Sequence, residues 1–321
     1  MDTNAARVKE QALALGFTSV GIAASGVLEE EGARLREWLA RGYQASMGWM
    51  AASAAKRSDP SMVLPGARSV IAVALNYYAD VEHERTPGRG RISRYAWGDD
   101  YHDVLGAKLA ALRDWLVAAY PGTGAKAYVD TGPVMDKAWA VRAGIGWLGK
   151  HTNVITRGKG SWVFLGEILT TLLLEPDAPA LDRCGTCTLC IEACPTGAIV
   201  EPYVVDSNLC LSYLTIEHRG PVEADVRDRY EGWIYGCDTC QDVCPWNIKF
   251  ETPSPDPSFL PREGSASPVL EEWRHMDQAE FSARFRRSPV KRAKRDGLVR
   301  NIGIALGTSD PGDGLPSSHT P

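Results

Sequence analysis

The sequence predicts a mixed helix and strand domain, α/β or α+β with helices flanking a sheet, followed by a ferredoxin-like module for two 4Fe-4S clusters and a short helical C-terminal segment. Two observations predict it. Helical and strand-like segments alternate up to about residue 178, and every cysteine lies beyond that point. The cysteines form the run Cys184-Gly-Thr-Cys187-Thr-Leu-Cys190-Ile-Glu-Ala-Cys194-Pro195, the run Cys237-Asp-Thr-Cys240-Gln-Asp-Val-Cys244-Pro245, and Cys210. The first run has the spacing of a bacterial two-cluster ferredoxin, in which three thiolates hold one cube and the fourth ligates the other. Two cubes use eight thiolates, and the chain has 8 cysteines. Zinc would use two Cys-x2-Cys pairs but leave both Cys-Pro endings unexplained. Disulfide-stapled domains are short and secreted, whereas this chain is long and opens without a signal-like stretch.

Composition narrows the class. With 44% hydrophobic and 23% charged residues in 321, the chain can bury a sizeable core in more than one unit. No apolar run reaches membrane-spanning length, so no membrane partner is expected. The net charge of −5 gives no general attraction for nucleic acid. Oxygen-sensitive clusters and reduced thiols place the protein in the cytoplasm.

The elements follow in order. Residues 5–15 have helical periodicity, and Gly16 turns the chain into a strand over 17–23. Residues 28–39 form a second helix, with acids early and Arg41-Gly42 at its end. Residues 69–75 are an almost unbroken apolar run, as in a strand covered on both faces. A helix over 101–120, a strand over 125–129, a helix over 136–143 and one or two strands over 161–174 complete the domain, 1–178. The cluster module covers 179–250. A Pro/Ser-rich linker opens the 251–307 segment, short helices close it, and 308–321 is expected to be a disordered tail. In the ferredoxin arrangement the thiolate before proline crosses to the neighbouring cube. Cluster one then takes Cys184, Cys187, Cys190 and Cys244, and cluster two takes Cys194, Cys210, Cys237 and Cys240. Residues 211–236 are an insertion relative to the ferredoxin pattern.

Clusters relay single electrons but do no organic chemistry alone, so the first domain should hold the reacting site. Asp130, at the end of an apolar strand, can serve as a general acid or merely cap the next helix. Gly144, Gly146 and Gly149 follow a helix rather than a strand, which excludes a dinucleotide loop. Asp100-Tyr-His102 matches the start of a motif that gives histidine to cobalamin cobalt, but Leu105 stands where that motif needs glycine. His102, His151 and His218 read equally well as local structure. Two basic stretches suggest RNA. Arg85, Arg89, Arg91 and Arg94 surround Tyr95 and Trp97, and residues 284–300 hold eight Lys/Arg against the single acid Asp296.

Taken together, Lys56-Arg57, the run from Ser93 to Asp103, Val129-Asp-Thr-Gly132, the run from Ala143 to Lys150, Tyr235-Gly-Cys-Asp-Thr-Cys240 and both cysteine motifs resemble the epoxyqueuosine reductases. That resemblance implies an α/β domain holding cob(II)alamin beside two 4Fe-4S clusters. It implies reduction of epoxyqueuosine to queuosine at the wobble position of tRNA, with Asp130 as proton donor. It also implies cobalamin contacts from Arg57, Asp130, Val154, Leu165, Ser207, Cys237 and Asp238, and tRNA contacts from Arg94 and His218. A monomer fed by a flavodoxin- or ferredoxin-type donor is expected. Longer members of that family carry a helical repeat after the segment at which this chain enters its tail. A reductive dehalogenase-like enzyme and a non-catalytic two-cluster electron carrier are the alternatives.

Overall fold

A computed structural model describes residues 3–307, and the expected C-terminal tail lies outside them. Its centre is a four-stranded sheet in the order Ser19–Ala24, Ser69–Asn76, Val163–Thr170, Ala125–Tyr128. Every neighbouring pair is antiparallel. The domain is therefore α+β, and a parallel α/β sheet is excluded. The apolar Ser69–Asn76 run is buried at every position because helices cover both faces, not because the sheet is parallel.

Alternation sorts that strand's side chains. Ile71, Val73 and Leu75 join Val8 and Leu105, Leu109, Leu112 and Leu116 in one core, under the Thr3–Ala14 and Tyr101–Ala119 helices. Val70, Ala72 and Ala74 pack with Trp139 and Ala140 of the Asp136–Arg142 helix on the other face. The four leucines recur at helical spacing, and each stabilises the fold by about 1.5–3 kcal/mol on burial. Asp100 starts their helix by accepting the His102 backbone N–H at 3.0 Å.

The Gly144/Gly146/Gly149 stretch forms a hairpin of Gly146–Leu148 and Val154–Thr156, which sequence patterning missed because each strand is three residues long. Gly146 lies so close to the Ile155 carbonyl that a Cβ has no room there.

Beyond the cysteines, the expected linker is a docked strap. Asn76 Nδ2 donates to Thr252 O at 2.8 Å, the Ser254 N–H to Tyr78 O at 2.7 Å, and Phe259 is buried against Phe164. The 251–307 segment is no separate body either. Ile92 and Trp97 share one core with Ile234, Trp273, Phe281 and Ile302. The insertion is locked from the C-terminal side by two buried residues of the Lys294–Ala305 helix. Arg300 donates to the carbonyls of Leu214, His218 and Gly220, and Asn301 Nδ2 to those of Thr215 and Ile234, each at 2.9 Å. Among the described residues, no helix is long and apolar enough to cross a membrane.

Asn301→Ala strands two buried carbonyls, so urea denaturation should show a loss of about 2–3 kcal/mol.

Candidate active site between the sheet and the second thiol group

The eight thiols gather into two groups. Cys190 has Cys184, Cys244 and Cys187 as its thiol neighbours, and burial together with them pushes it up to about 11. Cys240 has Cys237, Cys210 and Cys194, with burial raising it well above its ordinary value. Cys210 and Cys244 sit at the N-caps of the Leu211–Ile216 and Pro245–Phe250 helices. There their thiols face the backbone N–H groups of Tyr213 and Ser212 and of Asn247 and Trp246, donors suited to a thiolate. The buried Trp147 Nε1–H has no other partner and lies beside Cys184. All eight cysteines are free, and these donors fit sulfur-ligated cubes.

The groups differ in position. Cys194, Cys210, Cys237 and Cys240 all line an open cavity of about 400 Å³, which none of the other four reaches. Asp130 lines the same cavity, on the short turn between the Ala125–Tyr128 strand and the Asp136–Arg142 helix. Met135, not Asp130, occupies the N-cap of that helix. Asp130 has φ of 55°, and the Thr131 N–H closes back on Val129 O at 2.5 Å. The carboxylate is thus carried on a strained γ-turn that costs about 1–3 kcal/mol.

Three groups hold it there. Tyr101 Oη donates to Asp130 Oδ2 at 2.6 Å, and His102 Nε2 lies 3.6 Å from the same oxygen. Tyr101 is itself clamped, stacked on Phe164 at 4.4 Å and on His102 at 4.1 Å. His102 Nδ1 bonds Asp100 at 2.8 Å. Burial acts to lower the His102 pKa, but the bonds to Asp100 and Asp130 prevail and push it up to about 9. His102 in turn holds the Asp130 carboxyl below its ordinary value, against burial and with help from Tyr101. The proton of the pair therefore rests on His102 at neutral pH.

Asp130, Val154, Leu165 and Cys237 all line the cavity. Arg57 stands behind them, its guanidinium over Trp49 and bonded to Val134 O at 2.8 Å, within electrostatic reach of Asp136 and Asp130. The cavity lining offers a free donor to a bound group. His151 lines the cavity with a buried Nε2 lacking any partner, and its Nδ1 accepts the Asn153 N–H at 3.1 Å, so Nε2 carries the hydrogen and donates. Beneath the site Glu167 is fully buried with both oxygens unpartnered, and burial with Asp136 and Asp130 nearby raises its carboxyl well above its ordinary value. Glu167 was hidden from sequence reading by the apolar run around it.

Ser207 and Asp238 do not reach the cavity. Ser207 is buried with its N–H on Tyr43 O at 2.9 Å, and Asp238 is fully buried on Ser93 Oγ and the Arg94 N–H. The expectation that Arg94 contacts RNA is corrected. It is 5% exposed, bonded to Asp242 at 2.8 Å and packed over Tyr78, Trp97 and Trp162. Arg91 is likewise buried over Trp233, so two of the four arginines of the first basic stretch build core, while Arg85 is exposed and Arg89 half-buried. His218 is half-buried, its Nε2 bonded to Pro221 O at 2.8 Å. In the second stretch Arg284, Arg286, Arg287, Lys291, Arg292 and Lys294 are exposed. They flank the site, since Asp100 N–H donates to Arg287 O at 2.8 Å.

His102 has an ordinary value of 6.5 and a folded value of about 9. Its stabilising contribution is complete below 6.5 and lost as pH rises through 9. In His102→Gln the stability profile should flatten across that window, and carbon-13 titration should place the Asp130 carboxyl higher than in the parent. An unmoved Asp130 titration would show that the two do not share a proton.

Comparison with known proteins agrees with this architecture. Residues 57–131 match the family model described as epoxyqueuosine reductase QueG, DUF1730, and residues 183–247 match that of the 4Fe-4S double cluster binding domain. An epoxyqueuosine reductase of Gloeobacter violaceus is 49% identical over 324 residues, covering 99% of this chain and 100% of that one. A crystal structure of epoxyqueuosine reductase with an epoxyqueuosine-modified tRNA-Tyr stem loop superposes with TM-score 0.87 at 34% identity, over 96% of this chain and 82% of that one. The Bacillus subtilis epoxyqueuosine reductase, solved with its catalytic aspartate loop swung out of the active site, matches with TM-score 0.85 at 33% identity, over 94% and 80%. With near-half identity spread over whole chains, a fold shared at high superposition and the cluster module in place, this chain belongs to the epoxyqueuosine reductase family.

Proposed function

We propose that the protein is an oxidoreductase that reduces epoxyqueuosine to queuosine in tRNA, in the cavity between Asp130 and the second thiol group. The observation that carries this reading is that one cavity is lined both by four convergent thiols and by an acid 3.6 Å from a histidine ring nitrogen. Removing an epoxide oxygen as water and leaving an alkene takes two electrons and two protons. The cavity supplies a route for each.

Cys194, Cys210, Cys237 and Cys240 would hold the inner 4Fe-4S cube, and Cys184, Cys187, Cys190 and Cys244 the outer one. Val154, Leu165 and Cys237 of the cavity lining would bear on a cobalamin, with His151 offering a hydrogen bond, and Arg57, which does not line the cavity, would act from behind Asp130. Bound cobalamin would supply the low-potential cobalt that passes electrons to the substrate carbon. Asp130 faces the epoxide oxygen and passes on to it the proton that His102 holds across the 3.6 Å gap. The γ-turn fits that task, because a strained loop can carry its acid inward and outward with substrate. The exposed arginines of 284–294 would hold the phosphates of the anticodon arm beside the site. A flavodoxin- or ferredoxin-type carrier would feed the outer cube.

Asp130→Asn should lower turnover on an epoxyqueuosine-modified stem loop by about 10²–10⁴-fold with cluster content unchanged. Unimpaired turnover would refute the proton-donor role. Replacing Arg284, Arg286 and Arg287 by Gln should reduce the slope of log affinity against log salt by about 2, at about 0.7 per phosphate contact of single-stranded RNA. An unchanged slope would place the RNA elsewhere.

A further inference from the structure

The turn Gly149–Asn153, between the strands of the Gly146–Leu148 and Val154–Thr156 hairpin, carries a lysine that the chemistry above leaves idle. Lys150 is 9% exposed, although an ammonium is costly to bury without an anionic neighbour. Its Nζ donates to Gly185 O at 2.7 Å and to Cys187 O at 2.9 Å, both in the loop of the first cysteine run. Its backbone N–H faces the Cys184 thiol, and its carbonyl accepts the Tyr203 N–H at 3.0 Å. The lysine is thus fixed at both ends against the outer thiol group.

Two backbone carbonyls compensate the desolvation of an ammonium only in part. The remaining compensation has to come from negative charge. Asp182 supplies some, being within electrostatic reach of Lys150, but its carboxylate is already engaged by the Cys184 N–H at 2.7 Å and Tyr203 Oη at 2.5 Å. The larger negative charge belongs to the four thiolates themselves. Four thiolates around an iron-sulfur cube leave a net anion, and taking up one electron adds a further negative charge. A cation that cannot move away favours the reduced form, because net charge and hydrogen bonding around the sulfurs set such potentials.

We infer that Lys150 is a positioning residue that sets the potential of the outer cluster, raising it so that a one-electron carrier can load it before the electron passes inward. This rests on the reading of Cys184, Cys187, Cys190 and Cys244 as ligands of a 4Fe-4S cube. The site of action is distinct from the cavity, since Lys150 does not line it.

The test uses full-length protein with both clusters assembled, titrated with dithionite under redox mediators and followed by electron paramagnetic resonance. Lys150→Gln keeps a donor for the carbonyls and removes the charge, whereas Lys150→Arg keeps the charge. The Gln variant should bind its electron about tenfold more weakly at one cluster, a midpoint lower by about 59 mV, with the other cluster unmoved and the Arg variant near the parent. Equal midpoints in Gln variant and parent, a shift of both clusters together, or loss of the outer cluster in both variants would overturn the inference and leave the lysine a loop anchor. A parent protein that assembles fewer than two clusters would instead overturn the reading of the cysteines beneath it.

Discussion

The exchange of thiols between the two cysteine runs is the constraint on which the rest of the molecule depends. Cys194 leaves its own run to join Cys210, Cys237 and Cys240, and Cys244 leaves its run to join Cys184, Cys187 and Cys190. Neither group can form from one run alone. The two runs must therefore be brought together by the fold, and the packing of the Leu189–Glu192 helix against the Thr239–Asp242 helix does this. The insertion between the runs is held by Arg300 and Asn301. Thus the C-terminal helix, far from any reacting atom, closes the geometry of the inner thiol group.

At the acid the same economy applies to a proton. Asp130 is strained in φ and solvent-accessible, and an acid placed this way would drift without its aromatic and imidazole clamps. Tyr101 and His102 come from the first turn of the Tyr101–Ala119 helix, whose leucines anchor it in the core. The position of the acid is thereby fixed by the sheet and that helix, while its protonation is governed first by His102 and then by Tyr101.

Much of this was legible in the sequence. The cysteine spacing foretold the two thiol groups, because ligand geometry constrains spacing directly. The long helices announced themselves by periodicity, and the four sheet strands by short strand-like or unbroken apolar runs. Asp130 was visible at a strand end. What escaped were features whose meaning lies in tertiary environment. Arg94 and Arg91 look like RNA contacts in one dimension, yet they become a cationic core under Trp97, Trp162 and Trp233. Asp238 stands beside a cluster cysteine but is taken up by Ser93 and Arg94. Strand direction was not encoded in the buried run of 69–75, since helices on both faces give the same pattern for parallel and antiparallel neighbours.

The strap after the last cysteine bears on how such a chain can evolve. Phe259 of the strap packs on Phe164 at 5.1 Å, Phe164 stacks on Tyr101, and Tyr101 holds Asp130. A segment that reads as a spacer between modules is the outermost member of a stack that ends on the acid. Gene fusion or shuffling at this junction would therefore not exchange independent parts. A new C-terminal module can be appended only beyond the Lys294–Ala305 helix, and one spliced in before the strap would arrive without the wedge that keeps the acid in place.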